Sequence, residues 1–284
     1  MHINSSPIPA IELAFGEISR RQHETPPLAA GEGRTFNMLP RVYLLGYPFP
    51  MYAIMAFFGI VFATIIALVK SKAFGLRKKD VLRLAVYVVV GALLGAKLFG
   101  AVGQVVKYGR EPGFWTAEVW LHILGAGGVF YGGLLGGLGL VMLRAKLGHI
   151  ELKKVLDIGA YVGLAFQSIG RLGCWCAGCC HGIELADGTR FPVQLFEAGF
   201  CFAALVVFLV VRPERRWPTP LFPAYLITYS AGRFILEFFR GDANRGVWIL
   251  STSQWIAIAL IALAVVWLRK SKTTIQKKED SLCE

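Results

Sequence analysis

Charge is scarce in this chain. Only 17% of its 284 residues are charged, against 55% hydrophobic, and the mean hydropathy is +0.56. That excludes an ordinary soluble domain and places the chain among polytopic membrane proteins. Acidic residues are the scarcer sign, 18 against 30 basic, for a formal net charge of +12. Such an excess would suit a nucleic-acid partner. Here, however, the basic residues gather in short segments between apolar runs, as anchoring and topology signals do, so no nucleic-acid partner is expected. The first 40 residues lack a charged start leading into an apolar core, so no signal peptide is expected there. A phosphate loop and a dinucleotide fingerprint are also missing, and no soluble cofactor is expected. There is no convincing internal repeat of the kind many transporters carry.

Glycine, by contrast, is abundant at 32 residues, as expected where membrane helices pack backbone to backbone. Seven apolar segments, at 48–69, 81–105, 119–143, 155–172, 193–211, 219–236 and 250–268, each approach the roughly 20 residues that cross a hydrocarbon core. Backbone groups in lipid must be paired within the segment, so all seven are expected to be helices and the fold all-α. The sixth segment carries Pro220 and Pro223, and the fourth ends in Arg171. Basic clusters fall on alternate connections: Lys70 to Arg83, Arg144 to Lys154, Arg212 to Arg216 and Arg269 to Lys272. The positive-inside rule makes that face cytoplasmic, with the N-terminus outside and the C-terminus inside. Three parts are expected: a polar extension at 1–44, a seven-span domain at 45–268 and a basic cytoplasmic tail at 269–284. The extension reads as a disordered tail, an amphipathic surface segment or an over-extended start.

With this orientation Arg171, Arg233 and Arg240 converge on the outer face. A guanidinium is expensive to bury and does not lose its charge, so two arginines at a membrane edge point to a bound anion such as a phosphate. Tyr225, Tyr229, Arg233 and Glu237 step by four and form one polar stripe on an apolar helix. Lipid would not tolerate that stripe, so it must face protein or a wet cavity. Gln194 and Glu197, three apart, share a helix face, and an arginine is the expected partner of the carboxylate. In the third segment the glycines at 128, 132 and 136 make a smooth stripe, with Tyr131 near mid-span. Gly91 and Gly95 of the second segment would likewise admit a close neighbour. Of the six cysteines, four lie between Cys174 and Cys180. They allow a metal site, a disulfide or simple packing. The paired Cys-x-x-Cys modules of a typical zinc site are absent, and no metal is expected.

Five stretches occur in order: Gly-Ala-Leu-Leu-Gly-Ala-Lys-Leu at 91–98; Gly-Gly-Val-Phe-Tyr-Gly-Gly-Leu-Leu-Gly-Gly at 127–137; Gly-Arg-Leu-Gly at 170–173; Phe-Pro-Val-Gln-Leu-Phe-Glu at 191–197; and Tyr229 through Arg240. Over roughly residues 45–268 the chain resembles the prolipoprotein diacylglyceryl transferases of the bacterial inner membrane. The resemblance implies transfer of a diacylglyceryl group from phosphatidylglycerol to the lipobox cysteine in a prolipoprotein signal peptide, at the outer face of the cytoplasmic membrane. It also implies that Arg171 contacts the lipid phosphate with Arg233 and Arg240. Tyr229 and Arg233 would match essential residues of the late helix, and Glu237 and Gly182 would support them. Three positions depart from the pattern: Tyr131 and Phe191 replace histidines, and Cys174 replaces an asparagine. With no imidazole at 131, the attacking thiolate is expected to form in the positive field, with Tyr131 assisting. Three rival readings are a membrane transferase serving another acceptor, a seven-span transporter or receptor for an anion, and an inactive homologue.

Overall fold

The computed structural model describes residues 41–44, 47–110, 114–125, 129–211, 213–216, 219–241, 246–247 and 249–283, most of them helical. They fall into two compact units, Arg83–Gly148 and a larger one made from the described residues of Gly33–Leu82 and His149–Glu284. The expected N-terminal extension lies outside the described residues up to residue 40; 41–44 form the first strand.

The larger unit begins with a hairpin, in which β1 (Arg41–Leu44) pairs antiparallel with β2 (Tyr47–Pro50). Pro50, extended at φ −62° and ψ 126°, precedes α1 (Met51–Lys70). A 3₁₀ turn at Ser71–Phe74 follows, capped by Gly75 in the left-handed region at φ 64°, where only glycine avoids a steric cost. Gly59, Ala63 and Ala67 recur every four residues and are buried on α1. This small-residue face lets α1 lie close against α5 (Leu152–Cys176), so close that a Cβ on Gly59 would stand 3.2 Å from the Phe166 ring. Phe57, Phe58, Ile65 and Val69 are exposed, as suits residues in contact with lipid.

α5 also packs on α6 (Val193–Val211). A short α7 (Pro213–Arg216) leads to α8 (Phe222–Leu236), a 3₁₀ turn at Glu237–Phe239, a two-residue ladder of β3 (Gly246–Val247) with β4 (Leu250–Ser251), and α9 (Thr252–Cys283). α8 packs on α9 and touches α5 and α6. The prolines of the sixth segment do not interrupt this helix, because Pro223 sits in its first turn, where the missing N–H has no partner to lose. The buried Asp157 of α5 completes the start: its Oδ1 accepts hydrogen bonds from the N–H groups of Leu221 (2.7 Å) and Phe222 (2.9 Å). A second buried network joins Lys70, Glu214 and Tyr161, with Lys70 Nζ 2.9 Å from Glu214 and 4.6 Å above the Tyr161 ring. Burial pushes the Glu214 carboxyl up, but the hydrogen bonds from Tyr161 and Lys70 outweigh it and hold the group below its ordinary value.

The smaller unit contains the greater part of α2 (Lys78–Tyr108), with α3 (Ala117–Gly125) and α4 (Phe130–Leu147). Its tightest packing joins the two glycine motifs. A Cβ on Gly91 would be driven into the Gly136 carbonyl, and one on Gly95 into that of Gly132. The atoms opposing it are backbone and cannot swing aside. Gly95→Val is therefore expected to destabilise the protein by about 1–3 kcal/mol or more, read as a lower thermal midpoint in detergent; an unchanged midpoint would contradict this packing.

Among the described residues, four helical stretches are long and apolar enough to cross a membrane: Met51–Phe74, Lys78–Tyr108, Val193–Val211 and Thr252–Thr273. Several expected boundaries move. The segment 119–143 is divided between α3 and α4, with 126–128, including Gly128 of the expected stripe, outside the described residues. Tyr131 is consequently not mid-span. It lies in the first turn of α4 and is 56% exposed, because Val129, still extended, starts the helix there. α5 continues past 172 to Cys176, so Arg171 lies inside the helix rather than at its end. α8 starts at Phe222 rather than 219, and α9 runs on through the basic tail.

Candidate active site

Three elements of the larger unit bring polar groups to one place. The last turns of α5 carry Gln167, Arg171 and Cys174, the first turn of α6 carries Gln194 and Glu197, and α8 with its 3₁₀ extension carries Tyr225, Tyr229, Arg233, Glu237 and Arg240. Glu197 is the centre, with its side chain 2% exposed. Its Oε1 lies 2.9 Å from Arg171 Nη2 and accepts a hydrogen bond from Tyr229 at 3.2 Å. Its Oε2 lies 3.5 Å from Arg233 Nη1. The other fork of Arg233 pairs with Glu237 Oε2 at 2.7 Å, and Arg240 Nε stands 4.0 Å from the same oxygen. Tyr229 is also bonded to Arg171.

The stripe predicted from four-residue spacing is real. Its lower part is aromatic, with Tyr225 stacked on Tyr229 (centroids 6.1 Å apart) and Tyr225 donating to Gln167 Oε1 at 3.3 Å. Close helix approach keeps it in place: a Cβ on Gly232 would collide with the Phe200 ring, and one on Gly163 would stand 2.7 Å from the Tyr225 hydroxyl. Three guanidiniums face two carboxylates, Glu197 and Glu237, leaving one positive charge in a largely buried cluster. Forked N–H donors in a site of that sign are chemically suited to an oxyanion, and low hydration would strengthen such a contact.

A loop closes over the ends of these helices. The Gly182 N–H donates to Phe191 O (3.0 Å), Ile183 N–H to Phe239 O (3.0 Å) and Gly241 N–H to His181 O (3.2 Å). Gly182 is thereby pressed between the carbonyls of Phe191 and Phe239, where a side chain has no room. The Phe191 ring stacks on Phe196 at 4.8 Å and lies 5.1 Å from Phe239, so it packs the loop against the 3₁₀ turn. Gln194, also expected to support the site, donates to Cys179 O at 2.8 Å and touches the loop rather than the arginines.

A profile described as prolipoprotein diacylglyceryl transferase matches residues 40–269 of the chain. The chain belongs to this family. Among relatives of the prolipoprotein diacylglyceryl transferase family, one from Clostridium tetani, named phosphatidylglycerol–prolipoprotein diacylglyceryl transferase, is 30% identical over 237 residues, covering 78% of this chain and 93% of the relative. One from Clostridium perfringens with the same name and the numeral 2 is 29% identical, covering 77% and 89%. A third of that name, from Clostridioides difficile, is 27% identical, covering 70% and 82%.

Of the residues expected in this transferase's site, Arg171, Glu197, Tyr229, Arg233, Glu237 and Arg240 are drawn together; Gly182 shapes the loop and Gln194 anchors it. Tyr131 belongs to the smaller unit. Sequence reading missed Gln167, whose position four residues before Arg171 was the available signal. It also missed Asp157, whose partners lie 64 and 65 residues away.

Proposed function

We propose that the protein moves the sn-1,2-diacylglyceryl group of phosphatidylglycerol onto the lipobox cysteine of prolipoproteins, the first step of lipoprotein maturation. The observation that carries the reading is the arginine cluster around Glu197, in a chain that belongs to the transferase family over most of its length. Arg171 and Arg233 hold the phosphodiester, with Arg240 beside them. The thiolate attacks the terminal glyceryl carbon, a C–S bond forms, and the C–O bond breaks with its electron pair passing to the phosphate. The products are a thioether and glycerol 1-phosphate. Charge grows on the phosphate as the bond breaks, and fixed guanidiniums in a poorly hydrated site stabilise that change. Tyr229 and Glu237 hold the forks in position, and the positive field favours the thiolate over the thiol.

Seven spans, an outward N-terminus and an outward-facing site in the bacterial cytoplasmic membrane belong to the same proposal. The alternation of basic clusters supports them. Tyr131 is assigned as an assisting proton acceptor. The decisive experiment supplies labelled phosphatidylglycerol and a lipobox peptide and weighs the product; a peptide mass unchanged by the enzyme overturns the reading. In the same assay Tyr131→Phe is expected to lower kcat, by at most roughly 10²-fold, with KM for the lipid unchanged. Unaltered kcat removes Tyr131 from the mechanism.

A further inference from the structure

The cysteines at the end of α5 were read from sequence as open among metal, disulfide and packing, with no metal expected. Three of them converge. The Sγ atoms of Cys174, Cys179 and Cys180 all lie within 4.8 Å of one another, with Cys174 buried, Cys180 half-buried and Cys179 exposed. Three thiolates sharing one tetrahedral zinc ion at about 2.3 Å each would stand roughly 3.8 Å apart, so an adjustment of at most about an ångström separates this cluster from ligand geometry.

The backbone gathers them by specific means. Cys174 is fixed in the last turns of α5, and Gly178 reverses the chain at φ 71°. Cys179 N–H donates to Cys174 O at 3.2 Å, while Gln194 holds the Cys179 carbonyl. Cys180 is one of two non-glycine residues among those described with positive φ, at 60°. A residue with a Cβ held in that region carries strain, and such strain collects at functional sites. The charge around the cluster also fits. Three thiolates and a divalent ion carry one net negative charge, and Arg240 hydrogen-bonds Cys180 while Arg171 faces Cys174.

We propose that Cys174, Cys179 and Cys180 bind one zinc ion through three thiolates, with the fourth position open to the incoming lipobox thiol. Thiolate ligands select a thiophilic ion over magnesium or calcium. Three protein ligands are the pattern of a catalytic site, since structural zinc sites are closed by four. The inference rests on the transferase reading above and adds a second means of making thiolate to the positive field that reading already invokes. A thiol bound to the ion is deprotonated outright. In that role the ion would hold the bound sulfur as thiolate, its proton passing to solvent; the sulfur would attack the glyceryl carbon and the C–O pair would depart on the phosphate, with no change in the ion's oxidation state.

The full-length protein in detergent, reduced and stripped with chelator, is reloaded with zinc or cobalt(II) and freed of excess metal. About one zinc per chain is expected by elemental analysis, and none in Cys179→Ser/Cys180→Ser. The cobalt form is expected to show a sulfur-to-metal charge-transfer band that intensifies with a lipobox peptide but not with its Cys→Ser version. Because the double variant could fail to fold, the band in the unmutated protein stands as an independent readout. No retained metal, no charge-transfer band, or a natively purified protein whose mass reveals a disulfide among these cysteines each overturns the site. Full transfer by zinc-free enzyme overturns the role in thiol activation while leaving the transferase reading intact. A normal cobalt spectrum with no transfer by the zinc-loaded enzyme overturns the transferase reading instead.

Discussion

Arg171→Ala is expected to abolish diacylglyceryl transfer while leaving the protein folded. The guanidinium is fixed 2.9 Å from Glu197 and bonded to Tyr229, so it is already oriented when the lipid arrives and needs no reorganisation as charge builds on the phosphate. Removing a fixed donor from a developing oxyanion typically lowers kcat by about 10²–10³-fold, and the loss of a full positive charge puts this variant at or beyond that range. Folding is expected to survive, because Glu197 keeps Arg233 and Tyr229 as partners. Arg171→Lys is expected to recover only part of the rate, since an ammonium carries the charge without the planar fork. Initial rates with labelled phosphatidylglycerol, alongside a thermal midpoint, check both halves. Near-normal turnover by Arg171→Ala would remove the arginine from the phosphate site.

Glu197→Ala is expected to be worse, because it damages the fold as well as the chemistry. Glu197 is the carboxylate that Arg171 and Arg233 share. Without it two guanidiniums that cannot neutralise face each other across a buried gap. Breaking a buried pair by deleting one member costs about 3–5 kcal/mol, a large share of the roughly 5–15 kcal/mol that holds a typical domain folded. The expected result is poor recovery from the membrane, a strongly lowered thermal midpoint and no activity. Glu197→Gln, which keeps an acceptor for Tyr229 but not the charge, is expected to fall between. A Glu197→Ala protein with an undisturbed midpoint would mean that solvent or another group compensates the arginines.

The sequence carried much of this site because its main device is periodic. Tyr225, Tyr229, Arg233 and Glu237 are legible as one stripe, since helix spacing aligns them whatever the stripe packs against. Gln194 and Glu197 are legible as sharing a face for the same reason. What they touch is set by tertiary packing: Glu197 meets the arginines 26 residues before it and 36 after it, whereas Gln194 reaches only the loop. Helix ends were less legible. Leu172-Gly173-Cys174-Trp175-Cys176 contains nothing that must break a helix, so α5 runs on to Cys176, past the expected end at residue 172. The pairing of the Gly91/Gly95 motif with Gly132/Gly136 could be suspected from either motif, but only the structure joins them. The thiol cluster depends on the left-handed backbone at Gly178 and Cys180, which no spacing rule discloses.

The carboxylate shared by Arg171 and Arg233 has a consequence for turnover. On the proposed reading, an entering phosphodiester meets two guanidiniums whose charge Glu197 already partly offsets, so it shares them with an internal anion rather than filling bare positive sites. Affinity is thereby moderated. The diester brings one negative charge, but the glycerol phosphate that leaves carries up to two, and an uncompensated arginine pair would hold the product more tightly than the substrate. With Glu197 placed to reclaim both forks as the product withdraws, the site would be expected to reset itself. On that reading, product inhibition is expected to be kept low by a residue that takes no part in forming or breaking a bond.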